Sequence, residues 1–245
     1  VTEIGCNSGY NDMHPPSTKV FIDRDKAYEY YFQCVKPLIE AAVAQGMTAI
    51  GISDHGNNFG AFDFYKTAKS AGIKPIIGIE AYLSPGTPRQ DRSRVRWGSG
   101  GEDDISGGGA FTHMTMFAEN TDGMYNLFRM SSKAWLDGFY FKPRMDRELL
   151  QTYGKGVIAT TGCASGEIQT RLRLGQYEEA KKAAGEFQEI FGKENYFAEI
   201  MDHGLDIERR SMADLLKLAK ELNMPLLATN DLHYTNAGDA AAHEA

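Results

Sequence analysis

One local pattern recurs three times along this chain and limits its fold more than any other feature. An apolar helical face ends at Gly or Asn. A short apolar run follows, and it closes on a side chain that can hold a metal ion. In the first unit Leu38, Ile39, Ala42 and Val43 make the face, Gly46 stops it, and Met47 to Ile52 runs into Ser53-Asp54-His55. In the second, a helix over Ala61 to Ala71 stops at Gly72, and Ile76 to Ile79 runs into Glu80. In the third, Leu215, Leu218, Ala219 and Leu222 line a helix ending near Asn223, and Leu226 to Ala228 runs into Asp231 and His233. Gly and Asn tolerate the left-handed backbone that ends a helix. A helix feeding a strand again and again implies parallel strands with helical crossovers.

Three further strands fit between these units: Phe111 to Ala118 around His113, Gly156 to Thr161 before Gly162-Cys163, and Tyr196 to Met201 before Asp202-His203-Gly204. Helices are expected over Gly123 to Trp135, Gly166 to Leu174 and Tyr177 to Phe191. Ser84 to Gly109, with Arg89, Arg92, Arg94 and Arg96, reads as a long surface loop. The fold class is therefore α/β, and 245 residues suffice for one large core. In such folds the sites lie at the carboxyl ends of strands. Asp54/His55, Glu80, Cys163, Asp202/His203 and Asp231/His233 fall there, with His113 near its strand. A closed barrel would gather those ends in a ring, and an open sheet would spread them along a line.

The chemistry of the set is imidazole, carboxylate and one thiol, which suits Zn²⁺ or Mn²⁺ better than Ca²⁺ or Mg²⁺. No paired-Cys knuckle or His-Glu-x-x-His helix is present. Each residue also has a structural alternative. Cys163 reads as a metal ligand, a buried apolar residue or a nucleophile. Asp54 reads as a ligand or as a partner that orients His55. Asp202 and His203 read as site residues or as a turn closed by Gly204. Phe139-Tyr140-Phe141 followed by Lys142, Arg144 and Arg147 suits stacking and phosphate contact with single-stranded nucleic acid, or else a core cluster with solvated basic ends. Arg171 and Arg173 could hold phosphates or complement the carboxyl end of their helix.

Net charge is −7, so bulk attraction to nucleic acid is excluded and phosphate binding must come from local cations or metal ions. Three widely spaced cysteines, Cys6, Cys34 and Cys163, argue against a disulfide framework and for a reducing, cytoplasmic compartment. No signal-peptide or membrane-spanning pattern is found. Residues 1–34 carry loop chemistry and do not share the pattern.

Several stretches together resemble one family. They are Ile52-Ser-Asp-His-Gly-Asn-Asn-Phe-Gly-Ala61, Gly72-Ile-Lys-Pro-Ile-Ile-Gly-Ile-Glu-Ala-Tyr82, Asp137-Gly-Phe-Tyr-Phe-Lys-Pro-Arg144, Thr161-Gly-Cys-Ala-Ser-Gly-Glu167 and Ala228-Thr-Asn-Asp-Leu-His-Tyr234. In this order they resemble the PHP (polymerase and histidinol phosphatase) domain, in the version carried at the amino terminus of bacterial replicative DNA polymerase III alpha subunits. The resemblance implies a distorted seven-stranded, TIM-like (β/α) barrel holding up to three metal ions. It implies metal ligands at His55, Glu80, His113, Cys163, Asp231 and His233, with Asp231, His233 and His55 catalytic. Asp54 and His203 would support the ligands, and Lys142 and Arg144 would contact phosphate. The partners implied are DNA at a primer 3′ end, the remaining polymerase domains, and proofreading or clamp subunits.

One departure bears on all of this. The family opens with a strand carrying His-x-His and, soon after, Leu-Asp-Gly. Residues 1–34 hold neither, so the first strand is expected to be missing or replaced and the metal cluster weakened. Asp12-Met13-His14 has the spacing to imitate the lost pair. The expected organisation is an unmatched segment over 1–34 and a PHP domain over 35–245, cut from a longer chain. Three functions remain open: metal-dependent 3′–5′ hydrolysis of DNA within a replicative polymerase, a catalytically silent bracing or docking domain, and a free-standing phosphatase.

Overall fold

The computed structural model describes residues 2–3, 35–99 and 105–233. The chain alternates helices and strands. In order these are β1 (Thr2–Glu3), α1 (35–44), β2 (Ala49–His55), α2 (Ala61–Ser70), β3 (Lys74–Leu83), α3 (Ser106–Gly109, one short turn), β4 (Thr112–Ala118) and α4 (Thr121–Asp137). Then come β5 (Phe139–Tyr140), β6 (Lys142–Met145), α5 (Arg147–Tyr153), β7 (Val157–Thr160), α6 (Glu167–Arg173), α7 (Tyr177–Phe191), β8 (Tyr196–Ile200), α8 (Asp206–Leu222) and β9 (Leu226–Ala228).

The helix stops behave as their residues dictate. Gly46 and Gly72 adopt φ of 74° and 76°, and Asn223 caps α8 in the left-handed region at φ 51°. Helix α4 starts where the Asn120 side chain accepts from the Gly123 N–H, and α5 starts where Asp146 accepts from Leu149.

The strands run β1-β2-β3-β4-β7-β8-β9, with β6 joined to β3 and to β5. Parallel pairing holds for β1–β2, β2–β3, β3–β6, β7–β8 and β8–β9. β4 is antiparallel to both β3 and β7, and β5 is antiparallel to β6. The repeated helix-to-strand units forecast parallel pairing. The strand between the second and third units is joined to β3 by a long loop rather than a crossover helix, so it returns in the opposite sense. This mixed, helix-covered sheet is the α/β barrel type expected, and no β1–β9 ladder occurs among the described residues.

β1 pairs beside β2, so two residues stand at the sheet position before the first helix–strand unit. Asp12-Met13-His14, Cys6, Cys34 and the rest of 4–34 lie outside the described residues.

The main core packs Ile79, Ala81 and Leu83 of β3 and Met114 and Met116 of β4 against α4, α7 and α8. A second cluster joins α1, β2 and α2 through Ile39, Ile50, Ile52 and Phe64. β3 belongs to the first cluster and presses Ile77 onto the second. Burial of these side chains is the main stabilising term.

The segment Ser84 to Gly109 is not a plain surface loop. Arg89 is buried, and its guanidinium reaches Asp137, Asp146 and Glu148 at 3.0–3.2 Å. Arg94 lies 5.0 Å over the Phe141 ring, and Arg171 lies 3.9 Å over Trp97. The arginine run thus pins the loop to the body of the domain. No described helix is long and apolar enough to cross a membrane.

Candidate metal centre

Strand register builds the centre. β2 and β3 run in parallel with His55 directly beside Glu80, and β4 brings His113 beside Tyr82. Side chains two apart on a strand share a face, so Glu80 and Tyr82 point to the same side. The loop after β9 adds Asp231 and His233, and the loop after β7 adds Cys163.

These side chains meet. Glu80 divides its carboxylate: Oε1 lies 2.6 Å from His113 Nδ1, and Oε2 lies 3.2 Å from His55 Nε2. His55 Nε2 lies 3.1 Å from His233 Nε2. Cys163 Sγ is 3.8 Å from Glu80 Oε1 and 3.7 Å from His113 Nδ1. Two groups of donor atoms converge within 4.8 Å: His55, Glu80 and His113, and Glu80, Asp231 and His233. Glu80 is common to both.

Electrostatics follow from burial. Burial alone would raise the Glu80 carboxyl, but the His55, His113 and His233 imidazoles outweigh it and hold the pKa down to about 2. Burial and the neighbouring Glu80 charge push Asp231 up to about 6. Burial, then Glu80 and Asp231, push the Cys163 thiol well above its ordinary range. Glu80 is thus held in its charged form beside the imidazoles, while Asp231 and Cys163 are pushed towards their neutral forms.

The donor set fits a metal ion. His233 Nδ1 lies 2.7 Å from the Asp231 carbonyl, which can only accept, so this nitrogen carries the proton. The lone pair of His233 then sits on Nε2, aimed at His55 and the interior. Three imidazoles, two carboxylates and a thiol converging here are ligands for a borderline cation. A metal beside Cys163 would also deprotonate its thiol. Asp231 has a backbone φ of 43°, in the left-handed region that non-glycine residues rarely enter. Such strain at a convergence of ligands is a mark of functional sites.

The six expected ligands, His55, Glu80, His113, Cys163, Asp231 and His233, are all brought together. The supporting residues fare differently. Asp54 does not orient His55. It points to the opposite side of β2, is buried, and accepts from the Gly60 N–H at 3.0 Å at the start of α2. Burial, opposed by that bond, raises its pKa to about 7. His203 stands away from the ligands. Its Nδ1 lies 2.6 Å from Glu208 and its Nε2 lies 2.8 Å from the Asn230 carbonyl, so it braces the loop that carries Asp231. The Glu208 carboxylate raises its pKa despite partial burial. Asp202 caps its own turn by accepting from Gly204.

Arg144 is a correction. It was expected to touch phosphate, yet it is fully buried and donates to the carbonyls of Gly138, Ala110, Arg89 and Asp91 at 2.6–3.2 Å. Every nitrogen is engaged, because β6 sits beneath the Arg89 loop rather than at the surface. Lys142, two residues earlier, is half-buried, with its ammonium 5.4 Å over the ring of Tyr82, whose hydroxyl meets His55. Arg147 and Arg171 both pair with Glu167, and Arg173 donates to the Ala164 carbonyl, so these cations hold α6 in place.

Two residues escaped the sequence reading. Tyr82 places its hydroxyl 2.9 Å from His55 Nδ1. Its position two residues beyond Glu80 was the available signal. Glu199 is buried on β8, bonded to Thr160 and Thr229. Burial, against those bonds, raises its pKa to about 7. A glutamate inside an apolar strand, Tyr196-Phe-Ala-Glu-Ile200, was its signal.

A profile of the PHP domain matches residues 33–203. The DNA polymerase III subunit alpha of Saccharopolyspora erythraea is 56% identical over 208 residues, covering 81% of this chain and 17% of that protein. The corresponding protein of Mycobacterium tuberculosis is 52% identical over 214 residues, covering 86% and 18%. The chain thus spans under a fifth of the length of these curated relatives. Among solved structures, an amidohydrolase from Chromobacterium violaceum aligns at 12% identity with a TM-score of 0.46, covering 82% of each chain.

Proposed function

The chain belongs to the PHP domain family, and from that premise we propose that it is the PHP domain of a replicative DNA polymerase, with metal-dependent 3′–5′ phosphodiester hydrolysis as its own activity. Residues 35–245 would make this domain, with Thr2–Glu3 joined to its sheet beside β2, and the remaining polymerase domains would be its covalent partners. The observation that carries the reading is Glu80, one buried carboxylate shared by two groups of metal-type donors. The two curated relatives described above are named as polymerase subunits, which disfavours a free-standing phosphatase.

In this reading His55, Glu80, His113, Cys163, Asp231 and His233 hold Zn²⁺ or Mn²⁺. Bound metal would lower the pKa of a water and neutralise charge on the phosphoryl oxygens. In this reading Asp231 would accept the proton of the attacking water. His55 and His233, with their Nε2 atoms facing the interior, fix where the reaction occurs. Lys142, over the Tyr82 ring, would steady the phosphate, and the substrate would be the 3′ end of a DNA primer.

A second reading, a bracing or docking domain that contacts proofreading or clamp subunits, rests on the absent His-x-His. One experiment separates the two. The purified domain is assayed for bound metal by mass spectrometry and offered a 3′-mismatched primer with Mn²⁺ or Zn²⁺. Cleavage that disappears in Asp231→Asn supports hydrolysis. A metal-free protein without cleavage leaves the bracing role.

A further inference from the structure

The metal centre contains a contradiction that one neighbouring side chain can resolve. His55 Nε2 faces two acceptors, the Nε2 lone pair of His233 at 3.1 Å and Glu80 Oε2 at 3.2 Å. A neutral His55 that donates to either acceptor carries its proton on Nε2. To bind a metal through Nε2, it must carry the proton on Nδ1 instead. The group facing Nδ1 must therefore donate in one state and accept in the other. A carbonyl or carboxylate can only accept, and an ammonium can only donate. A hydroxyl does both. The group found there is the Tyr82 hydroxyl, at 2.9 Å.

Resting on the metal-centre reading above, we propose that Tyr82 is a positioning residue that supports both tautomers of His55, reversing its hydrogen bond as metal enters. In the metal-free state Tyr82 O–H donates to Nδ1. In the loaded state Nδ1–H donates to the Tyr82 oxygen. One proton is lost from Nε2 and one is gained at Nδ1 through solvent. Tyr82 keeps its own proton, and the imidazole stays neutral.

The surroundings fix this phenol firmly. Tyr82 is buried, its ring meets His113 edge-on at 5.2 Å and 87°, and it meets Phe111 at 5.0 Å and 70°. The same side chain therefore orients His55 through its oxygen and buttresses His113 through its ring. Its place on β3, two residues from Glu80, ties three ligands to one strand. Outer partners of metal-bound histidines commonly change metal affinity 10- to 100-fold when removed.

The test uses Zn²⁺ alone, with long-range ¹H–¹⁵N spectra of histidine-labelled protein and competition against a chromophoric chelator. Metal-free wild type should show His55 protonated at Nε2, and Zn²⁺-loaded protein should show it protonated at Nδ1. Tyr82→Phe should weaken Zn²⁺ binding about 10- to 100-fold, with a near-native melting temperature in EDTA. Equal Zn²⁺ affinity in Tyr82→Phe and wild type, or a His55 already protonated at Nδ1 without metal, overturns the role of Tyr82 alone. Failure of wild type to bind Zn²⁺ removes the metal centre itself, and the proposal with it. The tautomer measurement is made on wild type, so it decides the question even if the variant does not fold.

Discussion

Replacing Arg144 with methionine separates a structural arginine from a phosphate-binding one. In the structure this guanidinium is fully buried and donates to four carbonyls, those of Gly138, Ala110, Arg89 and Asp91. Hydrogen bonds from a charged donor contribute roughly 1.5–3 kcal/mol each, so the gross interaction is about 6–12 kcal/mol. Relief of the guanidinium's own desolvation offsets several kcal/mol of that. The net loss expected for Arg144→Met is therefore about 3–5 kcal/mol, comparable with breaking a buried ion pair. For a domain of this size each kcal/mol lowers the melting temperature by about 2–4 °C, so the variant should melt about 6–20 °C below wild type. Arg144→Lys should fall in between, because three donors on a point charge cannot span four carbonyls in a plane. Thermal melts and urea titrations in EDTA measure both. An Arg144→Met protein that melts with wild type but binds primer DNA more weakly would refute the assignment and restore the phosphate role.

Glu80→Gln should bind less than one tenth as much Zn²⁺ at a fixed low concentration, measured by mass spectrometry after gel filtration, because Glu80 serves both donor groups. Without metal, stability should fall as pH rises from about 4 to about 7. Asp54, Glu199 and Asp231 are raised to about 7, 7 and 6, so the native state holds more protons than the unfolded chain across that window. Urea midpoints in EDTA that climb between pH 5 and pH 8 would contradict this. Gly123→Ala should destabilise by about 2 kcal/mol or more through overpacking, because its Cβ would lie 1.7 Å from the Gly156 carbonyl oxygen. Circular-dichroism melts check it, and an unchanged melt counts against the close approach of α4 to β7.

Much of the centre was legible because parallel α/β units put their ligands at strand ends. His55, Glu80, Asp231 and His233 followed from that rule, and Leu226 to Ala228 was delimited to the residue. His113 obeys a different geometry. β4 runs backwards, so its ligand lies at the second residue of the strand rather than at the end. Nothing in the text of Thr112-His-Met-Thr-Met-Phe-Ala118 distinguishes the two senses. Arg144 misled because a basic residue after aromatics looks the same in sequence whether it faces solvent or a set of carbonyls. Its burial depends on Arg89, which lies 55 residues earlier. The β5–β6 hairpin was missed because its turn residue, Phe141, adopts φ 61° without the glycine or asparagine that usually announces such a turn.

The ten-residue β3 has consequences for how the centre comes apart. From Gly78 to Leu83 it is laddered to β4 on one side and largely to β2 and β6 on the other, so most amides of that stretch meet solvent only when the domain opens. β9 is three residues long, and Leu226 is half exposed. Deuterium should enter β9 early, through small openings, and enter β3 last. Asp231 and His233 would then detach and return many times in the lifetime of a single native molecule, while Glu80 and Tyr82 stay fixed to the slowest-exchanging strand, leaving a half-built cluster ready for its other half to close.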